Sequence, residues 1–521
     1  MLNFVSLIHL PLRNKNFKLL TLVLFIGVFS ATTYWIGFYQ NNKSGIHPNN
    51  SSKWESVNFI LDHLLNSYVD SIDSKDLKQK TIQNILKDLD PHSSYIPADK
   101  RISANESLVG HFGGVGIRFM ILRDTLTVVG VIEGGPSAKN EIEKRDRIIE
   151  INGENVASIG LTNEDVLKKL KGKIGTKVEL KILNKNQLIV EKTIIRDQIK
   201  LKSIVSNAII APGVGYIKIT TFSNSTDKEL QAALKSLQNK GMKKLILDLR
   251  FNGGGYLHQA INVADEFLKK DQMIVYTEGA HSPKMSQYAT NAGLFKEGAL
   301  AILVNSTTAS ASEIVSGAIQ DHKRGIIVGR RTFGKGLVQS PLMLSDSSEI
   351  RITTSRYYTP LGRCIQKPYG DTINYEEDLI NRIANGELSN KDSLTNNLAK
   401  GGIWPDAFSP IDTSNYLSSF YNVIYSKPWR DFCFDFYENN PETIYKELSE
   451  FNTNFSLNKK DLNAFLSKAG LDKIVDTEDY KMFNKSIKLE LSSYYFTENE
   501  RYIISAFDDN DVQLAVKLIN N

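Results

Sequence analysis

From Gly215 to about Gly362, short apolar runs with strand character alternate with stretches of helical periodicity. Lys244–Leu249, Leu300–Val304 and Ile326–Val328 read as strands; Asp227–Gln238, Leu257–Phe267 and Ser312–Asp321 read as helices. Alternation on that scale restricts the segment to an α/β architecture, because parallel strands need a crossover between them and the crossover is usually a helix. Before it, Val115 to Asp197 carries β-rich runs, Thr127–Ile132, Arg147–Ile151 and Lys177–Leu183, with one helical stretch near Glu164–Leu170. Gly-Gly-Pro and Asn-Gly turn signals separate them, which marks a small β-rich module. Two helices precede the module and end at Asp90-Pro91, while a polar, Asn-rich insertion near Gly370–Ala399 interrupts the α/β segment. The remaining C-terminal stretch is polar with helical periodicity and reads as an accessory helical domain. No fixed-period repeat is present, so a solenoid is not supported.

Leu19 to Tyr39 contains no charged residue, and at about 1.5 Å per residue it reaches roughly the 30 Å of a hydrocarbon core. Arg13, Lys15 and Lys18 precede it with no acid before them, so the positive-inside bias leaves residues 1–18 in the cytoplasm and the remainder across the membrane. A cleaved signal peptide and a buried core helix are the alternatives; the bulky stretch Tyr34–Tyr39 makes a poor cleavage region, which favours an uncleaved anchor. The 521 residues as a whole are 41% apolar and 23% charged, ordinary globular composition. A net charge of +5 is too small and too dispersed for nucleic acid to be a favoured partner. The 2 cysteines, Cys364 and Cys433, allow no disulfide framework and no cysteine metal cluster.

Metal chemistry needs ligand spacing, and the 8 histidines form no HExxH and no close pair. A nucleophile elbow of the GxSxG type is absent. Gly329–Lys335 satisfies half of a phosphate-binding loop, but Gly336 stands where Ser or Thr would hold magnesium, and Leu337–Pro341 reads as a strand broken by proline where a helix would be needed. Different chemistry is suggested by Asn305–Ile314, where a strand ends in a small-residue turn that opens a helix and exposes its first side chains. Serine needs a base, and downstream Lys335 can serve only when neutral, with its pKa lowered by burial or nearby cations. Gly253, Gly254 and Gly255 follow another strand, and their amides are suitable donors for a developing oxyanion. Each signal alone also has a plain structural reading: a turn, a helix cap or a solvated loop.

Taken in order, the segments Leu89–Tyr95, Phe112–Ile117, Gly134–Ala138, Asp146–Gly153, Asp248–Arg250 with its glycines, Ala309–Ile314, Gly329–Gln339 and Tyr358–Gly362 closely resemble the C-terminal processing peptidases, or tail-specific proteases. The resemblance covers roughly residues 55 to 410. It implies a crotonase-like or Clp-protease-like α/β catalytic core with an embedded β-rich PDZ domain and flanking helical segments, behind a single N-terminal transmembrane helix. The family motif places the nucleophile at Ser310 and the general base at Lys335, with Gln339 orienting the lysine. Thr308 replaces the family's first serine, and Ser312 is the rival nucleophile. The implied oxyanion donors are the N–H of Ala311 and of one glycine, Gly254. No metal or organic cofactor is implied.

The PDZ-like module resembles domains that add a peptide as an extra strand and hold its terminal carboxylate in a glycine-rich loop, here Phe112, Gly113, Gly114, Val115, Gly116 and Ile117. Apolar Val115, Ile117 and Leu167 suggest a pocket for an apolar terminal side chain. The expected partners are therefore proteins with apolar C-termini and the membrane, with room for a homo-oligomer or an adaptor. The expected organisation is a cytoplasmic N-terminus (1–18), an anchor (19–39), a linker and N-terminal helical region (40–100), a PDZ domain (101–197), a serine peptidase core (198–411) and a C-terminal helical accessory domain (412–521). The implied protein is an inner-membrane, single-pass, extracytoplasmic or periplasmic serine endopeptidase that reads protein C-termini and cleaves through an acyl-enzyme. The reading from a different class is a noncatalytic PDZ scaffold that binds protein tails at the envelope. The family's Gly-Ile-x-Pro-Asp motif appears at Gly402–Asp406, after the insertion.

Overall fold

The computed structural model describes residues 51–370, 374–389, 400–411, 420–440, 447–471 and 477–521. The expected anchor, Leu19–Tyr39, lies outside them, and among the described residues no helix is long and apolar enough to cross a membrane. Residues 1–82 and 83–521 form two compact units. The first holds the helix Ser51–Ser67, with Phe59 stacked on His63 one turn later, and the chain then enters the helix Ser74–Lys87.

The second unit is built on a six-stranded sheet in the order Ile204–Ala211, Val214–Ile219, Lys244–Asp248, Ala299–Val304, Ile326–Gly329, Ala407–Phe408. Its strands are parallel except the first, which pairs antiparallel at one edge. Strand side chains alternate between faces, and both faces are apolar. Ile217, Ile219, Leu245, Leu247, Leu300 and Ile302 pack under the helices Thr226–Asn239, Leu257–Asp265 and Ala311–Asp321. Tyr216, Ile246, Ala301, Leu303 and Val328 face the other way and are covered by Ala506, Val512, Ala515 and Ile519 of the two last helices, Glu498–Phe507 and Asn510–Asn520. The two last helices therefore supply one covering layer of this sheet, while the C-terminal helices before them build a cluster of their own. A sheet with two apolar faces needs two layers, and the alternating segment supplies only one.

A second sheet joins Ser94–Ile96, Glu349–Tyr358, Met273–Gly279 and Ser282–Tyr288, with Leu337–Met343 added alongside Glu349–Tyr358. The strand expected to break at Pro341 runs through it, and Pro341 sits opposite Arg351. Among the described residues Leu337–Met343 pairs with one neighbour only, and an edge strand accommodates a residue that has no N–H to donate.

The PDZ module carries the strand order Ile117–Leu122, Thr125–Val131, Arg147–Ile151, Lys177–Leu183, Ile189–Ile195, close to the runs read from sequence. Its helix Asn163–Leu170 starts on a reciprocal cap between Thr162 and Asp165. Leu122 and Val129 on its outer surface enter an aromatic cluster with Trp429, Phe434, Tyr437 and Tyr494 of the C-terminal helices. Arg147 pairs with Glu438 at 2.9 Å, Lys144 donates to the Tyr494 carbonyl at 3.1 Å, and Arg123 pairs with Asp435. The C-terminal region thus touches the PDZ module with one end and the six-stranded sheet with the other. The expected polar insertion is likewise bound in: Glu387 accepts from buried Arg331 (2.7 Å) and Arg382 (2.8 Å).

Since Val512 is fully buried against the sheet, Val512→Asp places a carboxylate in an apolar layer without a partner, at a cost of several kcal/mol. The catalytic sheet should then unfold at a lower denaturant concentration than in the wild type. An unchanged unfolding midpoint would restore the accessory-domain reading.

Candidate active site

Three loops leave the carboxyl ends of adjacent parallel strands, where α/β sheets present ligand sites. Lys244–Asp248 leads into Gly253–Gly255, Ala299–Val304 leads into Ser310, and Ile326–Gly329 leads into Lys335. Ser310 caps the helix Ala311–Asp321 with φ +58° and ψ −117°, left-handed backbone that costs a β-carbon residue strain and must be imposed by its surroundings.

The surroundings that impose it centre on Glu313. Its carboxylate is fully buried and accepts the Ser310 N–H at 2.8 Å and the Lys335 N–H at 2.9 Å on one oxygen. The other oxygen accepts the Gly334 N–H at 2.7 Å and the Thr332 hydroxyl. Burial pushes this carboxyl up to about 7 although all of these donors pull it down. Tyr357 spans the same two loops, its hydroxyl lying 3.0 Å from the Ser310 carbonyl and also against the Lys335 carbonyl. The Phe333 N–H adds a bond to the Thr308 carbonyl at 2.9 Å. Amides that a phosphate would need are occupied by Glu313, so the half-match to a nucleotide loop has no site behind it.

Lys335 is half-buried, and its Nζ donates to Gln339 Oε1 at 3.1 Å. Gln339 Nε2 donates in turn to the His92 carbonyl, and the turn carrying His92 is held by Asp90 Oδ1, which accepts the N–H of His92 at 2.8 Å and of Ser93 at 2.9 Å. Burial and the Arg351 cation lower the Lys335 pKa, against the opposing charges of Asp90 and Glu313. Burial, then Lys335, hold the His92 imidazole down at about 4, so it is neutral at ordinary pH. Ser310 and Lys335 line one cleft, but no hydrogen bond joins Ser310 Oγ to Lys335 Nζ among the described residues.

Gly254, with φ +101°, passes so close to the serine turn that a Cβ there would meet Ser310 Cβ at 2.7 Å and the Ala311 nitrogen at 2.9 Å. Its N–H, expected to face an oxyanion, donates to Asn252 Oδ1 at 2.8 Å. Ala311 occupies the first helical position, where the N–H has no acceptor within the helix. Ser312 is fully buried with its hydroxyl donated to the Asn252 carbonyl at 3.1 Å, and Thr308 is likewise buried and donates to the Leu249 carbonyl at 3.0 Å.

The cleft, about 1590 Å³, extends from Ser310 to the PDZ module, where Phe112, Gly113 and Leu167 line it. Phe112–Gly114 belong to the strand His111–Gly114, paired with Asp197–Lys200. Gly114, Val115 and Gly116 are buried and Ile117 starts the next strand. The Val115 side chain packs in the PDZ core and does not line an apolar pocket as expected; Leu167, 41% exposed, is free to do so. Sequence reasoning missed Glu313, Tyr357, Asn252 and Arg351. Only Glu313 had a local signal, its place three residues after a capping serine.

A PDZ-like module that opens onto a cleft holding a serine on a strained turn is an arrangement that fits a serine peptidase acting on protein tails. Residues 213–375 match the model of peptidase family S41 and residues 127–184 match a PDZ domain. A carboxy-terminal-processing protease of Bartonella bacilliformis is 37% identical over 316 residues, covering 59% of this chain and 71% of that protein. The carboxy-terminal processing protease CtpA of Bacillus subtilis is 32% identical over 317 residues, covering 61% and 67%. A solved photosystem II D1 C-terminal processing protease is similar at 26% identity and TM-score 0.37, covering 67% of this chain and 85% of that one. The chain belongs to peptidase family S41 and is a serine peptidase of the carboxy-terminal processing kind, with a PDZ domain suited to the C-termini of protein substrates.

Glu313→Gln leaves one oxygen for four donors and turns an amide NH₂ toward the rest. Displacement of Ser310 relative to Lys335 should lower kcat about 10²-fold with KM little changed. Steady-state kinetics on a peptide substrate check this; an unchanged kcat would remove Glu313 from the account.

Proposed function

We propose that Ser310 and Lys335 form the catalytic dyad of a membrane-anchored, extracytoplasmic endopeptidase. The observation that carries this reading is the shared acceptance of the Ser310 and Lys335 N–H groups by one buried carboxylate, Glu313, on a cleft that reaches the PDZ loop. The PDZ domain captures an apolar C-terminus and feeds an upstream segment to Ser310. Neutral Lys335 takes the Ser310 hydroxyl proton as Oγ bonds to the carbonyl carbon, then gives that proton to the amine as the C–N bond breaks. Water, deprotonated by the same lysine, hydrolyses the acyl-enzyme and restores Ser310. Gln339 holds the lysine through its amide oxygen. The Ala311 N–H and one N–H of Gly253–Gly255 stabilise the oxyanion; Gly254 would first have to release Asn252. Ser312 is disfavoured as nucleophile because its buried hydroxyl is already donated.

The charge-free run Leu19–Tyr39 with its basic flank supports a single-pass inner-membrane anchor that puts the peptidase on the far side.

The test uses an unfolded reporter with an apolar C-terminus. Ser310→Ala should lose at least about 10³-fold in kcat and Lys335→Ala about 10²–10⁴-fold. Wild-type-like cleavage by Ser310→Ala would break the assignment.

Because only neutral Lys335 accepts a proton, the rate should rise with pH through its lowered pKa. Arg351 is a cation that disfavours the protonated lysine, so Arg351→Gln raises that pKa and should move the ascending limb of the pH–kcat profile to higher pH. A limb that stays in place or moves down contradicts a Lys335 base.

A further inference from the structure

Asp511 lies in the first turn of the last helix, Asn510–Asn520, and is buried. Two guanidinium groups from separate catalytic loops meet on it. Arg330 grips it with both terminal nitrogens, at 3.0 Å to Oδ1 and 2.7 Å to Oδ2. Arg250 Nη1 reaches Oδ2 at 2.8 Å. The two arginines occupy informative places. Arg250 is two residues before Asn252, whose Oδ1 accepts the Gly254 N–H and whose carbonyl accepts the Ala309 N–H at 3.0 Å and the Ser312 hydroxyl. Arg330 opens the loop that carries Lys335, directly after Gly329, where φ is +128°. One carboxylate thus ties the glycine loop and the lysine loop together from behind, as Glu313 ties the serine and lysine loops from within.

The grip does not read as simple charge balancing. Arg250 keeps Asp248, at 3.0 and 2.7 Å, and Asp509, at 2.8 and 2.9 Å, and Arg330 keeps the Ser409 carbonyl at 2.8 Å. Among the described residues, Asp511 is the carboxylate that links the two, and its grip on Arg330 is bidentate, a geometry that fixes orientation as well as distance. The helix N-terminus favours a carboxylate at this position.

We propose that Asp511 is a positioning residue for peptide hydrolysis, holding the Gly253–Gly255 loop and the Lys335 loop in mutual register, so that the C-terminal helices are required for turnover and not for folding alone. This rests on the Ser310–Lys335 reading above, and the test separates the two.

Full-length wild type, Asp511→Asn, Asp511→Glu and Ser310→Ala are compared on a quenched peptide with an apolar C-terminus. Binding of an uncleavable peptide with the same tail serves as the readout of a folded PDZ domain. Asp511→Asn should lose at least about tenfold in kcat while KM and tail-peptide affinity stay within about twofold, and Asp511→Glu should recover part of the loss. An Asp511→Asn kcat within about twofold of wild type overturns the proposal. So does a loss shared equally by kcat and tail-peptide binding, which marks a structural clamp. If Asp511→Asn does not fold, Arg330→Lys carries the test, since it keeps the charge and loses the bidentate grip: the same selective loss of kcat supports the proposal and an unchanged kcat overturns it. Activity surviving in Ser310→Ala breaks the underlying dyad reading; an inactive Ser310→Ala beside a fully active Asp511→Asn breaks this proposal alone.

Discussion

A buried carboxylate is expensive, and Glu313 is buried completely and forms no ion pair among the described residues. It is tolerated because three backbone N–H groups and a hydroxyl converge on it, and those donors lie on the turn of Ser310 and on the loop Thr332–Lys335. That set of hydrogen bonds joins the strained turn at Ser310 to the lysine loop, and the Tyr357 hydroxyl joins the same two segments through their carbonyls. In a low-dielectric interior such bonds are stronger than in water, and a missing one is correspondingly costly. The arrangement is therefore closer to all-or-none than to a sum of small contributions.

Around this centre, the parallel sheet supplies direction. Its loops leave from the carboxyl ends of three adjacent strands, so residues far apart in sequence arrive within one cleft. Two apolar faces demand two covering layers, and the chain obtains the second from its last two helices. Those helices also carry Asp511 to the back of the catalytic loops, while their predecessors hold the PDZ module through Trp429, Tyr437 and Tyr494. One C-terminal region therefore contacts both the PDZ module and the sheet whose loops line the cleft.

Elements that depend on local periodicity were legible from sequence: the strands Lys244–Asp248 and Ile326–Gly329 and the helix Ala311–Asp321 fall within a residue or two of where alternation and helical spacing put them. Ser310, Lys335 and Gln339 stood out through motif order, and the structure brings them to one cleft. What failed to show was whatever depends on distant pairing. Pro341 looked like a strand end because nothing local reveals that its strand is an edge. Val115 looked like a pocket residue because periodicity does not say which apolar side chain a small core will absorb. Gly254 looked like a free donor because the capture of its N–H by Asn252 depends on the turn's full conformation. Asp511 had no signal at all, being one polar residue in a polar segment, 181 positions from the arginine it grips.

The central claim, as proposed, is that a nucleophilic Ser310 is served by Lys335, whose pKa burial lowers. The most direct measurement is peptide mapping by mass spectrometry of the enzyme after brief reaction with an activated acyl donor, across a pH series. The account predicts acylation on Ser310, with a rate that rises through a midpoint below the ordinary lysine pKa of about 10.4 and that vanishes in Lys335→Ala. Acylation on Ser312, or on Ser310 at a rate indifferent to both pH and Lys335, would contradict it.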